Sequence, residues 1–412
     1  MGFTTSTTTT SPHSIELTSE LVAQTREAAA DEPLIQVRPF LDTDGIQAGP
    51  RFLRGLHTTP ARTFRRRGAP VYAAEIWFED GQLQFYLRAP DQQDAIALVN
   101  AHYPNSETQT VDDSGFPDII PGQHVAGGHL QLKQDTAFPI KHLDSRPPLD
   151  DDPYRTLLSR LVGADEETTI LQIVFMPVTQ TWTRRGLLGR SGHGDVTRLA
   201  HSRRQGTVEG YLDPQVVQSK RDTQAADDIA AQLGHPAFAT TIRVLSIAPD
   251  GPTAAHRLQR ITDAVRVFDH DHTSQGFEPR YASSSHLPAV LEAAGMRTLT
   301  PRSWLKRTLW GRANVLTVNE LAGLVHFPNE DIENSDIDWS RLAAGVGVPA
   351  DSQSYSVSSF QADRSHFSKN AQTSRTNHDR LSTDVRATDG SRPSRDSENR
   401  QDRTGLGGKD GA

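Results

Sequence analysis

The sequence predicts an α+β fold: two ferredoxin-like (split βαβ) lobes, a short helical segment after them, and a disordered C-terminal tail. Three observations predict it. The apolar runs between residues 34 and 111 follow the order β-α-β-β-α-β. A comparable order recurs between residues 152 and 281 without any exact repeat of sequence. Beyond residue 350 the only large aliphatics are Val357, Leu381, Val385 and Leu406. Such a segment cannot bury enough apolar area to offset ~1–2 kcal/mol of backbone entropy per residue.

The elements are justified in chain order. Leu34–Phe40 alternates as a strand and Pro50–His57 is a short helix. Val71–Phe78 and Leu83–Arg88 are strands joined at Asp80-Gly81, a hairpin signal because Gly supplies positive φ. Asp91 starts a helix that runs to His102, with Ala95, Ile96, Leu98 and Val99 along it and Pro104 beyond it. Glu107–Val111 returns as a strand. In the second lobe, Asp152–Val162 is a helix with Pro153 at its first position. Thr169–Val178 is almost continuously apolar, as a strand buried on both faces is. Residues 182–222 hold eight basic and four acidic residues with little apolar periodicity, and read as a mobile basic insertion. A helix at Thr223–Leu233, a strand at Ala239–Ile247, an amphipathic helix at Thr253–Phe268 and an edge strand at Phe277–Tyr281 complete the lobe. The resulting partition is 1–30, a disordered Thr-rich start and short helix; 31–115, the first lobe; 116–300, the second lobe with its insertion; 301–349, a basic Trp-bearing segment and a docked helix; and 350–412, the tail.

Composition excludes several functions. The 412 residues include no cysteine, which removes disulfides, zinc ribbons, iron–sulfur clusters and thiol catalysis. Hydrophobic residues are 35 %, below the ~45–50 % of typical globular domains when Gly is counted with them. A net charge of -8 excludes a uniformly basic nucleic-acid coat protein, though not a local basic patch. No eighteen-residue apolar window predicts a membrane span. Lysine is scarce beside arginine and aspartate is abundant, a usage that fits GC-rich, salt-adapted archaea. The single Gly-Lys, Gly408-Lys409, is followed by Asp410, so no phosphate-binding loop is present, and the glycines from Gly122 to Gly128 open no helix.

Asp269-His270-Asp271-His272 groups four potential metal ligands, and on a strand His270 and His272 would share a face. Its position after a helix end favours a solvated loop, so no metal residue is assigned. Ser191, His193 and Asp195 are adjacent in sequence rather than arranged as a triad, and no catalytic or cofactor-binding residue is assigned either. Two basic clusters remain. Arg51, Arg54, Arg62, Arg65, Arg66 and Arg67 occur with no acid among them. Arg302, Lys306, Arg307 and Arg312 alternate with Trp304 and Trp310, the mixture of charge and aromatic faces that holds single strands, a partner protein or a membrane surface. Finally, Thr317 and Glu320 form a capping box in the segment Leu316–Pro328.

That segment resembles the junction of conjugative DNA-transfer ATPases, the HerA-like, type IV secretion-related proteins of archaea and actinobacteria. Leu316, Thr317, Glu320, Leu321, Ala322, Leu324, His326 and Pro328 carry the resemblance. The region from about 34 to 330 is similar in layout to the non-motor N-terminal region of those proteins, including haloarchaeal domains of unknown function found there. In that family a motor domain with nucleotide-binding motifs follows the junction, whereas here Asp338-Trp339 leads into the polar tail. The resemblance therefore implies a non-enzymatic docking or assembly subunit. Its partner would be an ATPase motor supplied in trans or a second copy of the chain. The expected location is the cytoplasm, with peripheral contact at the membrane. The alternative is a single-stranded nucleic-acid-binding module that uses the Arg-rich surfaces. No cofactor and no small-molecule substrate are expected.

Overall fold

β-branched and aromatic side chains suit a pleated surface covered on both sides, and the segment around residues 168–178 is built from them. In the computed structural model every residue from Thr168 to Val178 except Met176 is buried. The structure describes residues 8–340, apart from 30–32, 59–68, 112–114, 179–195, 206, 210–214, 218, 300–313 and 333. The expected tail at 350–412 lies outside the described residues, as does the start of the expected insertion.

The strands in chain order are β1 (Thr8–Thr9), β2 (Ser14–Glu16), β3 (Leu34–Arg38), β4 (Tyr72–Glu79), β5 (Gln82–Arg88), β6 (Glu107–Val111), β7 (His124–Leu132), β8 (Thr168–Val178), β9 (Thr207–Glu209), β10 (Gln215–Val217), β11 (Ala237–Ala248), β12 (Phe277–Ala282) and β13 (Asn314–Thr317). The helices are α1 (Ser19–Ala29), α2 (Gly49–Leu56), α3 (Gln92–His102), α4 (Pro153–Leu161), α5 (Val196–Gln205), α6 (Lys220–Ala231), α7 (Gly251–Ala264), α8 (Leu287–Gly295) and α9 (Val318–Ala322). Local chemistry sets many of these boundaries. The side chains of Asp91, Asp152 and Asp250 each accept a backbone N–H at the start of α3, α4 and α7. Asp80 and Gly81 both take positive φ, 50° and 72°, in the two-residue turn of the β4–β5 hairpin.

Eleven of the described strands form one mixed-length antiparallel sheet. Its order is β1-β12-β7-β11-β8-β4-β5-β3-β6, with β2 paired to β7 and β13 to β11. The strands expected in two lobes are thus continuous: β4 and β8 pair from Tyr72↔Phe175 to Phe78↔Thr169. On either side of that seam the chain repeats one order. The sets β3–β6 and β7, β8, β11, β12 each place their last, first, third and second strands side by side, so the two second strands meet. Helices α2, α3, α4, α7 and α9 cover one face through a core that includes Phe52, Val99, Leu158, Leu258 and Leu321. Helices α1 and α8 cover part of the other through Val22, Leu287 and Leu291. A smaller cluster joins Val196 and Ala200 of α5 to Ile229 of α6. No helix among the described residues is long and apolar enough to cross a membrane.

Several expectations change. Part of the segment read as a mobile insertion is the helix α5, held to α6 by Arg203–Asp222 and Arg204–Asp227 ion pairs at 3.3 and 2.6 Å. α6 begins at Lys220 because Ser219 caps it. Within the start read as disordered, Ser14–Glu16 and Thr8–Thr9 add to the sheet. β12 is no edge strand, since β1 and β7 flank it. β7 was hidden by its paired glycines. A Cβ at Gly128 would lie 2.7 Å from the Arg280 carbonyl oxygen, and one at Gly127 would lie 2.6 Å from Leu245. The glycines are there so that neighbouring chains can approach.

Candidate functional site

The junction segment is built into the domain. β13 pairs with β11 from Ala237↔Thr317 to Thr240↔Asn314, which places α9 beside α2. The expected capping box is present in full: Thr317 accepts the Glu320 N–H, and Glu320 Oε2 accepts from the Thr317 N–H at 2.8 Å and its hydroxyl at 2.7 Å. The other oxygen, Oε1, accepts from the Ile140 N–H at 3.0 Å and the Gln232 amide at 3.5 Å. Burial nevertheless pushes the Glu320 carboxyl up to about 6, against these four donors. Leu316, Leu321, Ala322 and Leu324 are all buried, as the expected apolar face requires.

His326 is the second anchor. Its ring stacks on Tyr154 with centroids 3.7 Å apart. Nδ1 faces the Ala322 carbonyl at 2.8 Å, and Nε2 faces both Asp152 oxygens at 3.1 Å. Both ring nitrogens therefore meet protein oxygens. Burial opposes ionisation of Asp152, but the charge and hydrogen bond of His326 outweigh it and hold the carboxyl below its ordinary range. Asp152 also caps α4, so one carboxylate fastens both a helix start and the junction. Phe327 closes the segment edge-on against Tyr103, at 5.0 Å between centroids. Downstream, Asp338 receives Arg38 Nε at 2.7 Å, and the Leu83 N–H donates to the Asp336 carbonyl at 2.6 Å.

The basic clusters fare differently. Arg51 and Arg54 lie on the exposed side of α2, where Arg51 is paired with Asp44 and Arg54 donates to the Asn319 side chain at 3.3 Å. Arg62, Arg65, Arg66, Arg67, Arg302, Trp304, Lys306, Arg307, Trp310 and Arg312 lie outside the described residues.

Sequence reasoning missed a buried charged network. Successive register partners Arg243, Gln172 and Glu75 lie on β11, β8 and β4, and all are buried. Glu75 accepts from Arg297 Nε at 2.8 Å, Trp77 Nε1 at 2.8 Å and the Gln172 amide at 3.0 Å. Gln172 in turn accepts from Arg243 at 2.8 Å and donates to the Ala294 carbonyl at 2.8 Å, which ties the end of α8 to the sheet. Burial lowers Arg243 to about 10, and burial with the Arg243 charge lowers neighbouring His129 to about 3. The available signal was one charged or amide residue centred in each of three runs otherwise free of them, Glu75, Gln172 and Arg243.

The histidine pair is also placed otherwise than expected. His270 and His272 lie on a turn, but His270 is 2 % exposed, so the loop is not solvated there. Both face Asp228 of α6: His272 Nδ1 lies 3.0 Å and His270 Nε2 lies 3.7 Å from Asp228 Oδ2. Burial holds His270 below the ordinary histidine range, with Asp228 acting the other way.

Among protein-family models, one for a domain of unknown function (DUF8128) matches residues 7–340. No curated protein matches the chain.

Proposed function

The chain belongs to the DUF8128 family, and we propose that it is a non-enzymatic docking or assembly subunit of a DNA-transfer ATPase of the HerA-like kind, with the motor supplied in trans. The observation that supports this reading is the anchoring of the junction segment. Its strand extends the sheet, its capping box is saturated and its histidine is clamped to α4. Chain that follows such a segment leaves from a fixed point, which is what a mount for a motor, or for a second copy, requires. We also read the sheet as two ferredoxin-like units joined edge to edge. The repeated last-first-third-second strand order on either side of the β4–β8 seam supports this.

The single-stranded nucleic-acid reading takes second place, because Arg51 and Arg54 already have protein partners. One experiment separates the two. The full chain is mixed with a HerA-like ATPase from the same genome and run on size exclusion with light scattering, alone and with single-stranded DNA. A complex with the ATPase, or a defined oligomer of the chain, supports the docking reading. DNA binding that weakens steeply with salt, without either complex, overturns it in favour of the second.

A further inference from the structure

We propose that Asp228, His270 and His272 form a binding site for one divalent transition-metal ion of the zinc class. The three residues come from two elements far apart in sequence. Asp228 lies on α6 beside its buried Ala225 and Ile229, and the histidines lie on the turn after the 3-10 helix Val265–Phe268. Their ligand atoms all lie within 4.8 Å of one another. Around tetrahedral zinc, with bonds of ~2.0–2.2 Å, neighbouring ligand atoms are separated by roughly 3.3–3.5 Å. The 3.0 and 3.7 Å separations from Asp228 Oδ2 bracket that value.

A second observation points to a ligand. His270 is 2 % exposed, and its buried Nε2, aimed at Asp228, has no hydrogen-bond partner. An unmet buried group of this kind costs ~1–3 kcal/mol, and a metal ion at Nε2 would meet it in exchange for two long contacts at Nδ1. The turn is held independently of any ion. The His270 N–H donates to the Gln275 carbonyl at 2.7 Å and the Ser274 N–H to the His270 carbonyl at 2.8 Å. The Gln275 amide donates to the carbonyls of Asp135 and Phe138, both at 3.0 Å, and Arg221 Nε donates to the His272 carbonyl at 3.1 Å. The ligands are thus presented by a braced loop rather than gathered by the ion.

The protons balance through a change of tautomer. His270 Nδ1 accepts long contacts from the His272 N–H at 3.2 Å and the Thr273 N–H at 3.5 Å, which puts the neutral ring's proton on Nε2. Metal at Nε2 moves that proton to Nδ1 at the expense of both contacts, and metal at His272 Nδ1 moves its proton to Nε2. Each imidazole thus stays neutral as a ligand and the change is a shift of tautomer alone. Two imidazoles and one carboxylate select zinc, copper, nickel or iron over calcium and magnesium, which take oxygen ligands. The His272 and Asp228 side chains are 16 % and 11 % exposed, so both of these ligands reach the surface.

The test uses the full chain, free of any affinity tag and stripped with a chelator, titrated with zinc chloride by calorimetry at pH 7.5. One zinc per chain is expected. His272→Ala and Asp228→Asn should each weaken it by more than the ~10–100-fold that removal of an outer partner costs. Circular dichroism establishes that each variant is folded. Absence of binding by the unaltered chain overturns the proposal, as does binding that both variants retain unchanged. Should a variant fail to fold, X-ray absorption at the zinc edge of the loaded unaltered chain decides. Two imidazoles with oxygen support the site, and three or more imidazoles overturn it.

Discussion

Two histidine–aspartate sites in this chain use the same groups and differ in how many contacts are filled. At His326 both ring nitrogens and the facing Asp152 carboxylate are occupied by protein, and the ring is stacked on Tyr154. At His270 the buried Nε2 faces Asp228 at 3.7 Å and makes no hydrogen bond to any protein group. The first arrangement spends all its polar capacity on holding the junction segment. The second leaves capacity for something else. Burial alone does not separate them, because both histidines are about equally inaccessible, at 2 % exposure each. The count of satisfied hydrogen bonds does.

The comparison can be broken most forcefully at the closed site. Asp152→Ala removes one partner of a buried pair together with a helix cap, and should cost ~3–5 kcal/mol in urea unfolding. A loss under about 1 kcal/mol would show that the junction is held by its apolar contacts alone. Asp152 carries a lowered pKa, so its contribution is present above the ordinary aspartate value of ~3.9 and is lost as pH falls through the lower folded value.

Glu320 tests the saturated capping box. All four of its contacts are donors, so Glu320→Gln turns one acceptor oxygen toward repulsion and should cost ~1–3 kcal/mol at pH 7. Its raised pKa works in the opposite sense to that of Asp152. The contribution is complete below the unfolded value and is lost as pH rises through about 6. A stability slope between pH 4 and 6.5 that disappears in the variant is the expected signature.

The open site should respond least in the absence of metal. His272→Ala removes one mostly buried hydrogen bond to Asp228, and its cost without zinc should be ~0.5–1.5 kcal/mol by thermal unfolding. A loss as large as that of Asp152→Ala would make the two sites structural alike. Smaller still, Arg51→Ala on the exposed face of α2 should stay within ~0.5 kcal/mol.

Much of this was legible in the residues. The Asp-capped helices, the Asp80-Gly81 hairpin and the Thr317–Glu320 box rest on contacts within four positions, so the chain announces them locally. β7 was not legible, since its glycines serve Arg280 and Leu245, which are distant in sequence. The helix inside the expected insertion was not legible because α5 has little apolar periodicity of its own and is held by ion pairs to α6. His270 and His272 were visible as adjacent ligands, but their third member was not.

The sequence by itself determined the β4–β5 hairpin, the Asp-started helices, the Thr317–Glu320 capping box and most of the long strands. Those follow from dihedral preferences and side-chain periods acting over a few residues. Only the tertiary structure decided that the two halves share one sheet through β4 and β8, and that Glu75 meets Arg297 across 222 positions. It also decided that Asp228 completes a cluster with histidines more than forty residues away. Such pairings are settled by which buried charges and hydrogen-bonding groups must find partners once water is excluded, and that condition does not exist until the chain has closed on itself.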